Sequence, residues 1–456
     1  MKKLVFLLVF SVCVAGMVYA QSGNVGSISW TLVSGVLVVD GTGDIPDNFS
    51  DTPYLVDLKN VFTSIEIREG ISGIGNFAFQ GCKSVNSVSI PTTVKKIGEQ
   101  AFEYCTGLSS IDIPNSVEII FNHAFMFCSN ISSLNIPASV TYIGVHVFAG
   151  CYSLTSITAD AGNPAYTSLD GVLFSKDMTT IVACPGGKEG SYFIPESVKT
   201  IDYSAFSYCK KLTSVIIPES VAFIGVSAFT NCESMISIII PPKVTSIPYN
   251  TFNYCINMIS VTIPASVAVI GESAFGLCNS LSEIINYNPE PQFIEQNAFD
   301  EEIFTSCKLF VPAEAENAYR NAEVWSEFMQ IIALNTYITI EFNKNEIYML
   351  NGATTQILAT VTGSETVEWK SSHPEVATVY DGVTITGGDS GGTMITAVIG
   401  MVTAKTPGTT VITASSGSTE ATCPVTVIQP GNSVIEGTVN NPGTNDLRVN
   451  LYKKFP

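Results

Sequence analysis

Apolar and polar positions recur along the middle of the chain with a fixed step. The dipeptide Ile-Pro stands at Ile90-Pro91, Ile113-Pro114, Ile136-Pro137, Ile194-Pro195, Ile217-Pro218, Ile240-Pro241 and Ile263-Pro264. The step is 23 residues except between Ile136 and Ile194, where 35 further residues are inserted. Each unit reads I-P-x-x-V-x-x-I-G-x-x-A-F-x-x-C-x-x-L-x-x-I-x. One unit fills it with Ile90, Val94, Ile97, Gly98, Ala101, Phe102, Cys105, Leu108 and Ile111. A degenerate unit opening at Ile67 makes eight units over 67–285, with an insertion at 159–193 read as a hairpin.

The pattern within a unit predicts its elements. Ile111-x-Ile113 alternates, as a short strand with both Ile turned inward does. Pro114 ends it, having no N–H to donate. Ala101, Phe102, Cys105 and Leu108 follow helical spacing and predict a short helical or 3-10 turn on the opposite side. A unit offers about eight apolar side chains at ~1.5–3 kcal/mol each, too few to offset ~1–2 kcal/mol of ordering for each of its backbones. Units must therefore stack, each burying both flanks of its neighbour. The fold class expected is a solenoid with a parallel sheet on one face and short helical or 3-10 turns on the other.

The repeat cysteines Cys82, Cys105, Cys128, Cys151, Cys209, Cys232, Cys255 and Cys278 keep the same register. Equivalent slots in stacked coils make them buried thiols that act as small hydrophobes. Neighbouring coils do bring Cα atoms to a bridgeable distance, so a ladder of disulfides is the alternative, although parallel Cβ vectors suit a bridge poorly. No C-x-x-C pair occurs for metal.

Other segments frame the array. Lys2 and Lys3, the apolar run Leu4 to Val14, and Val18-Tyr19-Ala20 read as a secretory signal peptide over 1–20, cut before Gln21. From 337 to 428 the 23-residue step is gone. Short alternating runs such as Gln356–Val361, Val367–Ser372 and Gly408–Ala414 read as a small sandwich. Residues 429–456 read as a tail or the first strands of a truncated β module.

The repeat resembles the BspA-like leucine-rich repeats of bacterial and protozoan surface proteins. Residues 21–66, with Ser27-Ile28-Ser29-Trp30-Thr31-Leu32 and Asp40-Gly41-Thr42-Gly43, look like that family's N-terminal β cap. Residues 286–335, with Leu309-Phe310-Val311-Pro312 through Trp325 and Phe328, look like its C-terminal cap. W-x-S-S at Trp369, Val376-Ala377-Thr378-Val379 and G-T-x-x-I-T-A at Gly408 resemble a bacterial Ig-like domain of group 2, with residues 383–397 longer than that pattern. The resemblance implies a leucine-rich repeat solenoid followed by an all-β Ig-like sandwich. It also implies adhesion to host matrix proteins, cells or other microbes, with the Ig-like domain as a spacer.

Composition narrows the chemistry. Lys+Arg is 21 and Asp+Glu 40, a net charge of −19. That balance excludes a nucleic-acid partner, which needs a basic face. No second apolar run long enough to span a bilayer follows the first, so the mature chain is expected to be exported, extracellular or surface-attached, monomeric and not membrane-inserted. Three His occur, His123, His146 and His373. His123 and His146 share a slot in adjacent coils and should lie ~5 Å apart, but the flanking slots hold Gln100 and Ser204, poor third ligands for a metal. Gly388-Asp389-Ser390-Gly391-Gly392 fits the G-x-S-x-G of nucleophilic serines but has no strand-to-helix elbow and no positioned His. We expect no enzyme activity, no cofactor and no metal.

The expected partner is therefore a protein or glycoprotein on a host or microbial surface. Between the two inward residues of each strand stands one that faces outward. Along the array these are Ser89, Asp112, Asn135 and Thr158, then Ile216, Ile239, Thr262 and Ile285. The second set predicts an exposed, largely aliphatic floor for a ligand. Tyr104, Phe127, Tyr208 and Tyr254, each just before a repeat Cys, form a second candidate patch. The competing functions are a structural envelope component without a soluble ligand, favoured if the insertion or a cap covers the floor, and a glycan-binding surface module, which needs an exposed aromatic platform.

Overall fold

A computed structural model describes residues 21–53, 55–295, 297–334, 339–342, 346–362, 367–388, 394–416 and 419–428. The signal-peptide reading, the tail at 429–456 and Ser390 lie outside the described residues.

The outward-inward alternations form short strands that pair in parallel with their equivalents one repeat away, except at Ile111-x-Ile113, where the expected strand does not form and the main sheet is interrupted between Ser87–Ser89 and Ser133–Ile136. Ser133–Ile136 lies on Ser156–Ala159, Ser237–Ile239 on Ser260–Ile263, and Ser260–Ile263 on Glu283–Asn286. The repeat Pro closes the strand and opens a turn. The N–H of Val94 donates to the carbonyl of Pro91, and Val117, Val140, Val221, Val244 and Val267 repeat the bond. A second parallel sheet follows, which the sequence reading did not anticipate. It is built from two-residue strands such as Lys96–Ile97, Ile119–Ile120 and Tyr142–Ile143 on one side of the insertion and Phe223–Ile224, Ser246–Ile247 and Val269–Ile270 on the other.

The third side is not helical, which corrects the expected helical or 3-10 turn. Gln100 and Tyr104 have φ of +53° and +57°. The same two slots are left-handed at His123 and Phe127, Ser204 and Tyr208, and Asn250 and Tyr254. A right-handed helix requires negative φ throughout. Among the described residues helices occur only outside the repeats, at Phe49–Asp51, Val56–Leu58 and from Glu301–Ser306 onward. The left-handed residues turn alternate N–H groups along the array. Gln100, Phe102 and Tyr104 donate to the carbonyls of Asn122, Ala124 and Met126 at 3.0, 2.9 and 2.9 Å. All three sides are thus hydrogen-bonded from coil to coil, so the backbone groups of the interior are paired without a helix.

Inside, equivalent side chains stack. The rings of Phe79, Phe102 and Phe125 follow at 5.5 and 5.6 Å, and those of Phe206, Phe229, Phe252, Phe275 and Phe299 at 5.0, 5.4, 5.3 and 5.0 Å. The ten cysteines from Cys82 to Cys307 are free and buried, and Cys423 is buried. The thiols of Cys105, Cys128, Cys232 and Cys255 each donate to the carbonyl of the preceding coil's Phe, at 3.1–3.3 Å. Each of these carbonyls also accepts the N–H of the Cys three residues on, so the thiol is its second donor, which a disulfide would remove. Burial pushes the Cys82 thiol up to about 11, and those of Cys151 and Cys278 to about 12.

The insertion is more than a hairpin. Tyr166–Leu169 and Val172–Ser175 pair antiparallel, but Thr180–Ala183 then joins the second sheet beside Thr200–Ile201, and Glu189–Phe193 joins the main sheet beside Lys211–Ile216. It therefore adds a coil of its own. That coil lacks the Ala-Phe turn and closes with Cys184-Pro185-Gly186-Gly187. A Cβ on Gly187 would stand 2.7 Å from the Leu154 carbonyl oxygen, so only glycine fits. With this coil and both ends, the solenoid has about twelve turns, more than the eight repeats counted in the sequence.

At the start, Gln21–Val25, Ile28–Val33 and Val36–Gly41 form an antiparallel lead-in, and the last of these pairs in parallel with Ser64–Ile67. At the far end Lys308–Val311 and Gln330–Ala333 add two strands to the main sheet. Tyr319 and Trp325 lock this end by donating to Gln292, the hydroxyl to Oε1 at 3.0 Å and the indole N–H to the carbonyl at 2.8 Å. Beyond it, two four-stranded sheets share a core that includes Ile347, Ile357, Val402, Ile412 and Val425. Their longest hairpin joins Ala377–Gly388 to Met394–Ala404.

Candidate functional site

The outward residues differ between the two halves of the strand face. Ser89, Asp112, Asn135 and Thr158 are exposed and polar. On the other half Ile239 is 36% exposed and Ile216 half-buried. The exposure expected of the remaining two is not found. Ile285 is fully buried against Phe310 and Leu334 of the C-terminal end, and Thr262 is 7% exposed. Two things cover this end of the face. The added strands carry Phe310 into register with Ile285, and strand Ala377–Gly388 comes within 8 Å, Cα to Cα, of Lys211–Ile216 and Ser260–Ile263. The insertion does not fold over the floor. It extends it, since Phe193 pairs in register with Ile216 and is 49% exposed. The accessible floor is thus Phe193, Ile216 and Ile239, with exposed Ile236 and Ile259 at its edge. Phe193 was hidden from sequence reading because the insertion breaks the 23-residue count.

On the turn side, Tyr104 and Tyr254 are exposed, and Phe127 and Tyr208 half-buried. Phe127 lies between Tyr104, stacked at 4.7 Å, and Tyr208, edge-on at 5.0 Å. Its ring occupies the space a side chain at Gly150 would need. Lys210 sits over Tyr152, 5.1 Å from the ring centre, and pairs with Glu233 at 2.6 Å. Most of this patch is satisfied by its own contacts.

His123 and His146 stack with ring centres 5.1 Å apart, as their shared slot predicts. Ser204 continues the row, its hydroxyl 2.7 Å from His146 Nε2. Gln100 turns instead to Glu103, donating at 2.5 Å. Burial, reinforced by His123, lowers the His146 pKa to about 4, so this imidazole is neutral at physiological pH. Among the described residues no three His, Cys, Asp or Glu side chains are grouped to hold a metal ion. None of the described helices is long and apolar enough to cross a membrane.

A third face went unread. The second sheet and its margin expose Phe121, Tyr142, Tyr203, Phe223, Tyr249 and Phe293, from 37% to 61% of each side chain. The signal was present as V-x-x-I preceding each Gly or its replacement. A two-residue strand is too short to show period-2 alternation, so nothing marked these positions as sharing a flank.

The BspA-type leucine-rich repeat region matches residues 58–177 and 190–306 in six copies. The chain belongs to the BspA-type leucine-rich repeat family. The two matched segments flank residues 178–189 of the insertion, where the repeat turn is replaced by Cys184-Pro185-Gly186-Gly187. Among solved structures, a leucine-rich repeat protein from Eubacterium ventriosum is 25% identical, over 58% of this chain and 84% of that one, with a TM-score of 0.49. A leucine-rich cell surface protein from Faecalibacterium prausnitzii is 24% identical, over 58% and 94%, with a TM-score of 0.41. The pneumococcal vaccine antigen PcpA is 20% identical, over 69% and 98%, with a TM-score of 0.49. No curated protein matches.

Proposed function

We propose that this BspA-type protein is an exported, surface-displayed adhesin. Its solenoid binds a host-matrix or microbial surface protein, and its C-terminal sheets, as a group 2 Ig-like module, serve as the spacer. The observation that carries the reading is the apolar floor on an otherwise polar strand face. Phe193, Ile216 and Ile239 form its accessible part, and Thr262 and Ile285 its covered continuation. Exposed aliphatic clusters of this kind cost solubility unless a partner covers them. The charge of −19 favours a ligand that is neutral or basic at its contact surface.

The test is label-free binding of the full chain to a panel of matrix glycoproteins and bacterial surfaces, beside an Ile216→Asp/Ile239→Asp variant whose fold is checked by circular dichroism. Saturable binding that falls at least tenfold in the variant supports the reading. Binding that survives moves the site off the strand face. No binding across the panel turns the reading toward a structural role in the envelope.

A further inference from the structure

The flank bearing the second sheet has a regularity that the strand face lacks. In the five consecutive coils after the insertion, one large apolar side chain per coil is exposed on it, in one of two neighbouring slots: Tyr203 and Tyr249 stand two residues past the strand Ile, and Phe223, Val269 and Phe293 just before it. Phe121 and Tyr142 hold the two coils before it. On this flank Thr180–Ala183 of the insertion pairs with Thr200–Ile201, so the two groups stand in separate sheets, and their turns meet where the Ser204 hydroxyl reaches His146. Neighbouring rings are close, with Phe121 to Tyr142 at 6.3 Å and Tyr203 to Phe223 at 6.0 Å. Hydroxyl and carboxylate groups are interleaved with them. Thr200 and Ser246 stand in the same row as Phe223, in register with it and with Val269. Half-buried Asp202 accepts the Tyr203 N–H at 2.8 Å and keeps a second oxygen for a donor.

We propose that this flank binds a neutral polysaccharide laid along the array, one sugar to a coil. Aromatic faces take the C–H faces of pyranose rings, and the phenols, Ser246, Thr200 and Asp202 exchange hydrogen bonds with sugar hydroxyls. Aromatic side chains with a polar tip suit such mixed contacts. The period selects among linear ligands. Ring spacings inside this half set the coil step at 5.0–5.4 Å. An extended peptide presents same-face side chains every ~6.6 Å and slips by a whole coil within about four coils. An extended pyranose chain steps by a length close to the coil spacing. The net charge of −19 opposes an anionic glycan. The site lies off the strand face, so it stands or falls apart from the adhesin reading.

The test is affinity electrophoresis of the full chain through gels holding a β-glucan, a xylan or a mannan, with heparin as the anionic contrast. Retardation by at least one neutral polymer is expected. It should weaken at least tenfold in Tyr203→Ala/Phe223→Ala/Tyr249→Ala and stay unchanged in Ile216→Asp/Ile239→Asp. Should the triple variant melt early, Phe293→Ala and Tyr249→Ala alone should each weaken it severalfold, since both rings are largely outside the core. The proposal is overturned by no retardation in any neutral gel, by retardation that the flank variants leave intact, by retardation in heparin alone, or by flank variants that abolish only the binding of a protein ligand.

Discussion

The solenoid contains two cores built from one repeat. One runs from Ile28 to Leu173 and the other from Val172 to Ile331. They meet at the insertion. Within the second, phenyl rings keep a step of 5.0–5.4 Å from Phe206 to Phe299. Within the first the step is wider, and it reaches 6.3 Å between Phe125 and Phe148, where Val147 replaces the repeat Ala. No ring of the inserted coil carries the stack from Phe148 to Phe206; Tyr192 packs on Phe206 instead, tilted, at 5.9 Å. Outside, the contrast is larger. The first half shows Ser, Asp, Asn and Thr on its strand face, and the second shows Phe193, Ile216 and Ile239. The interior of a coil is constrained by the coil beneath it, whereas its exterior answers only to solvent and ligand. Both binding proposals consequently fall mainly on the second half.

The comparison can be broken by experiment, beginning with the largest effect. Phe252→Ala removes a fully buried ring and should cost ~3–5 kcal/mol. If the halves are separate cooperative units, the loss appears at Trp325 in the second core before it appears at Trp30 in the first. Phe125→Ala should reverse the order. Single-tryptophan variants followed by fluorescence in urea distinguish the two, and coincident transitions in both variants would show one unit.

Acid should act at the seam. The folded pKa of His146 is about 4, against 6.5 unperturbed. Between those values the unfolded chain binds more protons, so stability falls as pH drops from 6.5 to 4 and is unaffected above. The contribution is at most about 3 kcal/mol. His146→Gln should flatten that part of the stability curve relative to the parent, which urea unfolding at pH 7, 5.5 and 4.5 measures.

Gly187→Ala forces a methyl group against the Leu154 and Tyr152 carbonyls at 2.7 and 2.9 Å. A loss of about 1–3 kcal/mol is expected, with the two tryptophan transitions drawn apart. The smallest effect belongs to the thiols. Cys255→Ala deletes a bond to the Phe229 carbonyl and should cost ~1–2 kcal/mol, equally with Cys128→Ala in the other half. Native thiols should also resist a disulfide reagent at pH 8, since at a pKa of about 11 only on the order of one in a thousand Cys82 is thiolate.

Legibility tracks how local the cause is. The repeat was readable because Ala, Phe and Cys recur in slots that each coil presses on the next. The stacking of His123 on His146 followed from the same count. The turn was misread because helical spacing of Ala101, Phe102, Cys105 and Leu108 is also what an inward-facing loop requires. Its left-handed slots are filled by Gln, His and Tyr more often than by the residues that favour that conformation, Gly81, Gly150, Asn231 and Asn250. The burial of Thr262 and Ile285 had no local sign at all, because what covers them arrives from beyond residue 307. Phe193 joined the floor only once the insertion was seen to supply a strand.

One feature reaches past this molecule. Within each half the repeat phenyl rings meet the same group above and below, so away from the insertion and the ends neither half has a unique layer. Gain or loss of a whole 23-residue unit there would replace an interior with its own copy and ask nothing new of the chain. Recombination between repeats can therefore lengthen or shorten the protein rung by rung, adding one surface position to each face with every step. The reach of such a protein becomes a matter of gene copy number, while the choice of ligand drifts by point mutation.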